Sequence, residues 1–347
     1  MDSIIKTRLE KKQIEQFVKS CLPKQEIQEI TEIPDGNICS VYVIQTSNRQ
    51  SIASEAPIFS EHRSKMVLKV GMTADVDCLR YEKGLFPTEY KVYQLLQDQG
   101  IPIPHILKAD LSGSIIPAGC LLMEFVEGTA WNKISRELER NERAQLMNGL
   151  GKCFAQISRI KGDYFGYLKD GAQHRFQTHG ESFSHMIEDI LADGMERGIG
   201  LPCREIETML YKQSSLLDEI KEPRLVDFDL WAGNVFVKKQ KGQAEIAGII
   251  DFGHCFYGDA YAAFAAAVHL FEDVEKESDF IRGYECVSGE TFSFTSHDRI
   301  RLDWYRLYLT LLCAVETYRY EKNLAEKVRA SQLRKVERLL QKLQSVW

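Results

Sequence analysis

The sequence predicts an α+β chain in two parts, a small antiparallel sheet with one inserted helix over residues 1–125 and a larger, mainly helical part over 126–347. Three observations predict it. Short alternating β patterns crowd the first third, apolar residues recur at helical spacing beyond Gly128, and only two β-like segments, Asn234–Lys238 and Glu245–Ile250, interrupt the helical part. With 347 residues, 44% of them hydrophobic, each part is large enough to bury a core.

Ile4, Ile5, Leu9, Ile14, Phe17 and Val18 lie at helical spacing and predict an amphipathic opening helix over 4–20, ended near Pro23. Residues 29–33 alternate, Pro34-Asp35-Gly36-Asn37 reads as a turn, and 41–44 return as the second arm of a hairpin. The polar stretch Ser47–Ser64 reads as a surface insertion, and 66–70 as a third strand. A helical window over 87–99 stops at Gly100, and 105–111 and 119–126 read as two further strands. Helices are then expected near 140–159, 180–197, 203–220, 298–320 and 331–346. There is no internal repeat and no low-complexity tract.

Fifty acidic against 44 basic residues give a formal net charge of −6, the wrong sign for a protein that grips nucleic acid through its phosphates. The longest nearly uncharged apolar stretch, Ala260–Phe271, falls short of the roughly 18 to 20 residues a membrane span needs. No signal-peptide pattern opens the chain, so a cytoplasmic protein without a membrane partner is expected. The nine cysteines are scattered with no C-x-x-C pair, which suggests reduced thiols rather than a disulfide framework or a zinc site.

The chemistry concentrates in 225–253. Asp229 is followed five positions later by Asn234, directly before a strand pattern, and Asp251 opens Asp251-Phe252-Gly253 at the far end of the hairpin. Two acids and an amide so placed form a cluster of hard oxygen donors, of the kind that holds Mg²⁺ on phosphates while one carboxylate faces a hydroxyl. The order repeats the catalytic loop and metal loop of the kinase fold.

This segment resembles the aminoglycoside phosphotransferase family of kinase-like small-molecule phosphotransferases, whose core reads H-G-D-x-x-x-x-N followed by I-D-[WF]-G. The likeness extends to Pro102-Ile103-Pro104, Phe165-Gly166-Tyr167-Leu168, Pro223–Val226 and Gly258-Asp259, and so covers roughly residues 25 to 270. It implies a protein-kinase-like bilobal fold and a Mg²⁺-dependent transfer of the γ-phosphate of ATP or GTP to a hydroxyl of a small molecule. The acceptor would be an aminoglycoside-like cationic antibiotic, in which case the protein serves antibiotic resistance, or a choline, ethanolamine or sugar-amine metabolite.

Carried over by position, the resemblance makes Asp229 the catalytic base and Asn234 and Asp251 the metal ligands. Lys69 on the third strand would contact the α- and β-phosphates, with Glu89 on the following helix as its partner and Glu82 or Glu124 as competitors for that role. The turn from Gly36 to Ser40 would cover the phosphates with backbone N–H groups. Residues Glu124 and Val126 would present backbone groups to the purine edge. The acids Glu188, Asp189, Asp193, Glu196, Glu272, Asp273, Glu275 and Glu277 lie in the helical part that would wall the acceptor cleft, where they would bind ammonium groups or form a solvated helical face.

Two positions depart from the pattern. Asp227 stands where the family has His, and Ala263 stands where it often has an acid. Asp227 is expected to be structural, accepting from backbone N–H groups and either turned from the other acids or protonated. These departures leave a second reading, a catalytically silent nucleotide-binding module. A protein kinase is disfavoured by the lack of an A-P-E ending after Gly253.

Overall fold

The computed structural model describes residues 5–34, 36, 38–48, 65–267 and 270–346. The chain divides into two compact units, one of residues 1–78 and 104–126 and one of 79–103 and 127–347.

The first unit contains α1 (Lys11–Cys21) and a five-stranded antiparallel sheet of β1 (Gln25–Ile33), β2 (Ser40–Asn48), β3 (Lys65–Val70), β4 (Ile106–Asp110) and β5 (Cys120–Glu124), ordered β1-β2-β3-β5-β4. Helix α1 starts at Lys11 rather than at Ile4, because the Glu10 N–H is capped by Gln13 Oε1 at 2.9 Å. Its apolar stripe, Ile14, Phe17 and Val18, packs in one cluster with Tyr42, Ile44, Met66, Leu68, Val70 and Leu122 from the sheet. Strand alternation therefore fixes which residues face α1: on β3, Met66, Leu68 and Val70 point into that cluster, while Lys69 belongs to the other face. The predicted insertion lies almost entirely at 49–64, outside the described residues, as do Asp35 and Asn37 of the predicted turn.

The second unit holds the inserted helix α2 (Leu85–Leu96), β6 (Thr129–Ala130), α3 (Trp131–Ile134), α4 (Arg140–Ser158), β7 (Gly166–Tyr167), α5 (His179–Glu196), α6 (Cys203–Leu217), β8 (Arg224–Asp227), β9 (Val235–Gln240), β10 (Gln243–Ile249), β11 (Cys255–Gly258), α7 (Ala263–Ala266), α8 (Ser278–Ser288), α9 (Ser296–Val315) and α10 (Lys322–Ser345). Two small three-stranded sheets run β10-β9-β6 and β7-β11-β8.

The predicted division at 125 and 126 differs from these units in one respect: the segment 79–103, with α2, belongs to the helical unit. Its polar anchors explain this. The backbone N–H of Arg80 donates to Asp193 Oδ2 at 2.8 Å, Lys169 Nζ donates to the carbonyls of Arg80 and Tyr81 at 3.1 and 2.7 Å, and Arg319 pairs with Glu82. Tyr93 adds an edge-on contact with Phe252 at 5.1 Å.

Helix α8 was not predicted, because a glycine makes much of its contact. An ideal Cβ on Gly283 would stand 2.0 Å from the Asn148 carbonyl oxygen, and one on Gly151 of α4 would stand 2.1 Å from that of Phe280. The two backbones touch through reciprocal glycines, which leave no apolar signature. Among the described residues no helix is long and apolar enough to cross a membrane.

Candidate active site

Strands β8 and β11 are antiparallel neighbours with Asp227 opposite Cys255, so the loop that leaves β8 and the loop that enters β11 start side by side. The Ile250 N–H, donating to the Asn234 carbonyl at 3.0 Å, ties them a second time. Between these ties run Phe228–Asn234 and Ile250–His254. The acids and the amide singled out in the sequence are thus brought together by strand pairing.

Each side chain of the first loop is held by its neighbours. Phe228 is buried against Phe256 and Tyr308, with ring centroids at 5.5 and 5.7 Å, and Leu230 is buried as well. Asp229 lies between these two anchors and is half-buried. The Asn234 amide nitrogen donates to the Asp229 carbonyl at 2.8 Å and to its Oδ2 at 3.0 Å. That commits the nitrogen and leaves the amide oxygen as the donor atom for a cation. Gly233 is needed where it stands, since a Cβ would meet the Trp231 ring at 2.3 Å.

Asp251 takes φ +69°, a left-handed backbone uncommon for a residue with a Cβ. Strain of this kind costs on the order of 1–3 kcal/mol and persists where the surrounding structure dictates the conformation. Here buried Phe252, fixed by its edge contact with Tyr93, follows directly.

The electrostatics are those of crowded carboxyls. Burial, then the charges of Asp251 and Asp227, push Asp229 well above the usual carboxylate range, and the Asn234 amide opposes them. Burial pushes Asp227 up to about 7, against the hydrogen bond it accepts from the Asp229 N–H at 3.1 Å. Asp227 therefore accepts from the backbone in the manner expected of a structural residue. A pH dependence follows. A proton held on Asp227 in the native state and released near pH 4 in the unfolded state makes stability fall as pH rises from about 4 to 7; Asp227 contributes at most about 4 kcal/mol to this fall, and Asp229, raised as well, adds to it. Asp227→Asn is expected to flatten this slope; denaturant titrations of both proteins across that range, in chelator, check it.

The donor set fits Mg²⁺. It offers a carboxylate and an amide oxygen, and Mg²⁺ is commonly held by one or two such protein ligands with phosphate oxygens and water completing the shell. Among the described residues no group of three His, Cys, Asp or Glu is placed to hold a metal.

Glu316, on the single turn Glu316–Arg319 that follows α9, is a neighbour that sequence reasoning missed. Its charge also raises Asp229. The carboxyl accepts from the Tyr81 hydroxyl and lies 3.4 Å from Arg319 Nη2. No motif marks it; it reaches the loop from 87 positions away in sequence. Of the acids expected to wall an acceptor cleft, six form ion pairs among the described residues: Asp193 and Glu196 with Arg80, Asp189 with His185, Asp273 with Lys276, Glu275 with Arg299 and Glu277 with Arg143. Glu82 is likewise paired with Arg319. His179 is buried on Tyr305, and His254 stacks near Tyr81 at 5.4 Å.

In the first unit Lys69 is buried on β3, opposite Val41 and Leu121. Gly36 has φ +97°, a conformation open to glycine. Ser40 begins β2, fully buried, and its hydroxyl has no hydrogen-bond partner among the described residues. Glu124 closes β5, its N–H donating to the His105 carbonyl at 3.0 Å, and Val126 follows, half-buried. Glu89 lies buried on α2 in the second unit.

The sequence model described as the phosphotransferase enzyme family matches residues 29–293. No curated protein matches the sequence significantly. Solved structures do match the fold. The GDP complex of an aminoglycoside 2′-phosphotransferase-IIIa variant shares 14% identity at a TM-score of 0.63, over 95% of this chain and 97% of its own. A thermostable variant of aminoglycoside phosphotransferase APH(4)-Ia, in ternary complex with ADP and hygromycin B, gives 15% and 0.60, over 94% and 98%. A provisionally assigned fructosamine-3-kinase from Haemophilus somnus 129PT gives 16% and 0.61, over 96% and 97%.

Proposed function

Given that this chain belongs to the phosphotransferase enzyme family and is a small-molecule kinase, we propose that it moves the γ-phosphate of ATP or GTP to a hydroxyl of a small amine, with Asp229 as the general base. One observation carries the reading: strand pairing and the Ile250–Asn234 bond set Asp229, Asn234 and Asp251 together within the region the family spans.

Asp229 would accept the acceptor's hydroxyl proton, held in place by the Asn234 amide and by the Asp227 carboxyl under its backbone N–H. The Asn234 amide oxygen and the Asp251 carboxylate would hold Mg²⁺, which when bound neutralises phosphate charge and returns Asp229 to its ionised form. In the sheet unit, Lys69 would bind the α- and β-phosphates and the Gly36–Ser40 turn would cover them. The backbone of Glu124 and Val126 would take the purine edge. An amine acceptor is supported by the net charge of −6. Related structures hold aminoglycosides with a nucleotide, hygromycin B with ADP and streptomycin with ATP, which supports the same class.

A coupled nucleotide-consumption screen over aminoglycosides, peptide antibiotics, choline, ethanolamine and ketosamines tests this. Mg²⁺-dependent consumption that rises with one hydroxylated amine is expected. Flat rates on every acceptor, with Mg²⁺-dependent nucleotide binding retained, would replace the proposal with the silent binding module, and loss of both would refute the two readings together.

A further inference from the structure

Asp227 has two carboxyl oxygens, and the site uses only one. Oδ1 accepts the Asp229 N–H; Oδ2 is buried without a hydrogen-bond partner among the described residues. The whole residue is 1% exposed. A buried carboxyl oxygen left without a hydrogen bond is destabilising, so a native structure is expected to supply a partner.

The space for that partner is present. Asp227 lines a small cavity of about 10 Å³, measured as room for the centre of a water molecule, together with Ser158, Tyr284, Ala263, Leu225 and Phe154. A single water needs about that much room and two or more polar partners. Besides Asp227 the polar groups of the wall are Tyr284 and Ser158, the Ser158 hydroxyl donating to the Ala155 carbonyl at 3.0 Å. The other walls are apolar, so the polar groups define one place for a solvent molecule. Ala263 and Asp227, the two departures from the family pattern, border the same cavity.

We propose that one water is built into this cavity, linking Asp227 Oδ2 to the Tyr284 and Ser158 hydroxyls, and that Asp227 thereby acts as a positioning residue for Asp229. A carboxyl that accepts a backbone N–H through one oxygen turns freely about its last bond unless the other oxygen is also held. The water holds it, and Tyr284 on α8 holds the water. The grip extends from α8, whose backbone is fixed against α4 by Gly151 and Gly283, to the N–H of the general base. The kinetic part of the inference rests on the function proposed above; the water itself does not.

Two measurements test it. In a high-resolution crystal structure of the full chain, density for one water within hydrogen-bond distance of Asp227 Oδ2 is expected, and an empty cavity overturns the proposal whatever the activity. In kinetics, Asp227→Asn keeps an acceptor for the Asp229 N–H and a donor for the water, and is expected to retain kcat within about threefold, whereas Asp227→Leu is expected to lose about 10- to 100-fold in kcat with the KM for nucleotide unchanged. Tyr284→Phe is expected to fall between them. Asp227→Asn as inactive as Asp229→Ala, or a folded Asp227→Leu with full kcat, overturns the positioning role. Should Asp227→Leu fail to fold, the Asn and Phe variants and the crystal structure still decide. A wild-type chain that transfers no phosphate to any acceptor would refute the proposed function and leave the water test standing.

Discussion

Asp229→Ala is expected to lower kcat by about 10²–10⁴-fold, the range general-base catalysis supplies, while Mg²⁺–nucleotide binding stays within a few-fold of wild type. The separation follows from the roles: the proposed base faces the acceptor hydroxyl, whereas the proposed metal ligands are Asn234 and Asp251. Removing the carboxylate also relieves Asp251 and Asp227 of a like charge, so the variant is expected to be at least as stable as wild type. Nucleotide titration by calorimetry, thermal melting and steady-state turnover on the best acceptor check the three parts. Normal turnover in a folded Asp229→Ala would refute the assignment of the base. Asp251→Ala should behave oppositely in binding, losing metal-dependent nucleotide affinity.

Arg319→Ala is expected to cost about 3–5 kcal/mol, because it leaves the buried Glu82 and the partly buried Glu316 without their cation. Arg319 has a side chain 2% exposed and pairs with Glu82, itself fully buried, and with Glu316. Burial already pushes the Glu316 carboxyl up, with Arg319 and the Tyr81 hydroxyl pulling the other way. Once the guanidinium is gone, protonation relieves the uncompensated charge, so the deficit should be greatest at neutral pH and shrink as pH falls. Adding Glu82→Gln should restore part of the loss, a coupling that a double-mutant cycle measures. A loss under about 1 kcal/mol would show the pair to be as weak as a surface ion pair.

Much of the site was legible because its chemistry is local. Asp229 and Asn234 are five positions apart, and the hairpin that carries the chain to Asp251 is written as alternating strands, so their grouping follows from neighbours in sequence. The expected structural role of Asp227 matches the hydrogen bond it accepts. Contacts made at long range were not legible. Tyr81 and Glu316 meet across 235 positions, and Arg319 reaches Glu82 across 237, with no periodicity to announce either.

The errors in the fold have similar causes. Helix α10 begins at Lys322 rather than near 331, since Ala325 is the one buried residue of its first turns and leaves no apolar stripe. Helix α1 begins later than its periodicity suggests: Ile5 is buried outside the helix, so an apolar residue at the right spacing was read as a helical one. The ion pairs of Asp193, Glu275 and Glu277 are illegible for the same reason, since Arg80, Arg299 and Arg143 lie far from them in sequence.

The sheet unit is discontinuous: residues 1–78 and 104–126 form it, and the intervening 79–103 belong to the other unit. On the ribosome this sets an order. Strand β3 gains its inner neighbour β5 only after residue 124 has been made, by which time α2 has emerged without the helices it packs among. The first unit therefore cannot be produced as a simple N-terminal fragment ending at residue 78. A working fragment would replace 79–103 with a short linker, and a lasting bond between β3 and β5 in that shortened chain would be the mark of an autonomously folding sheet.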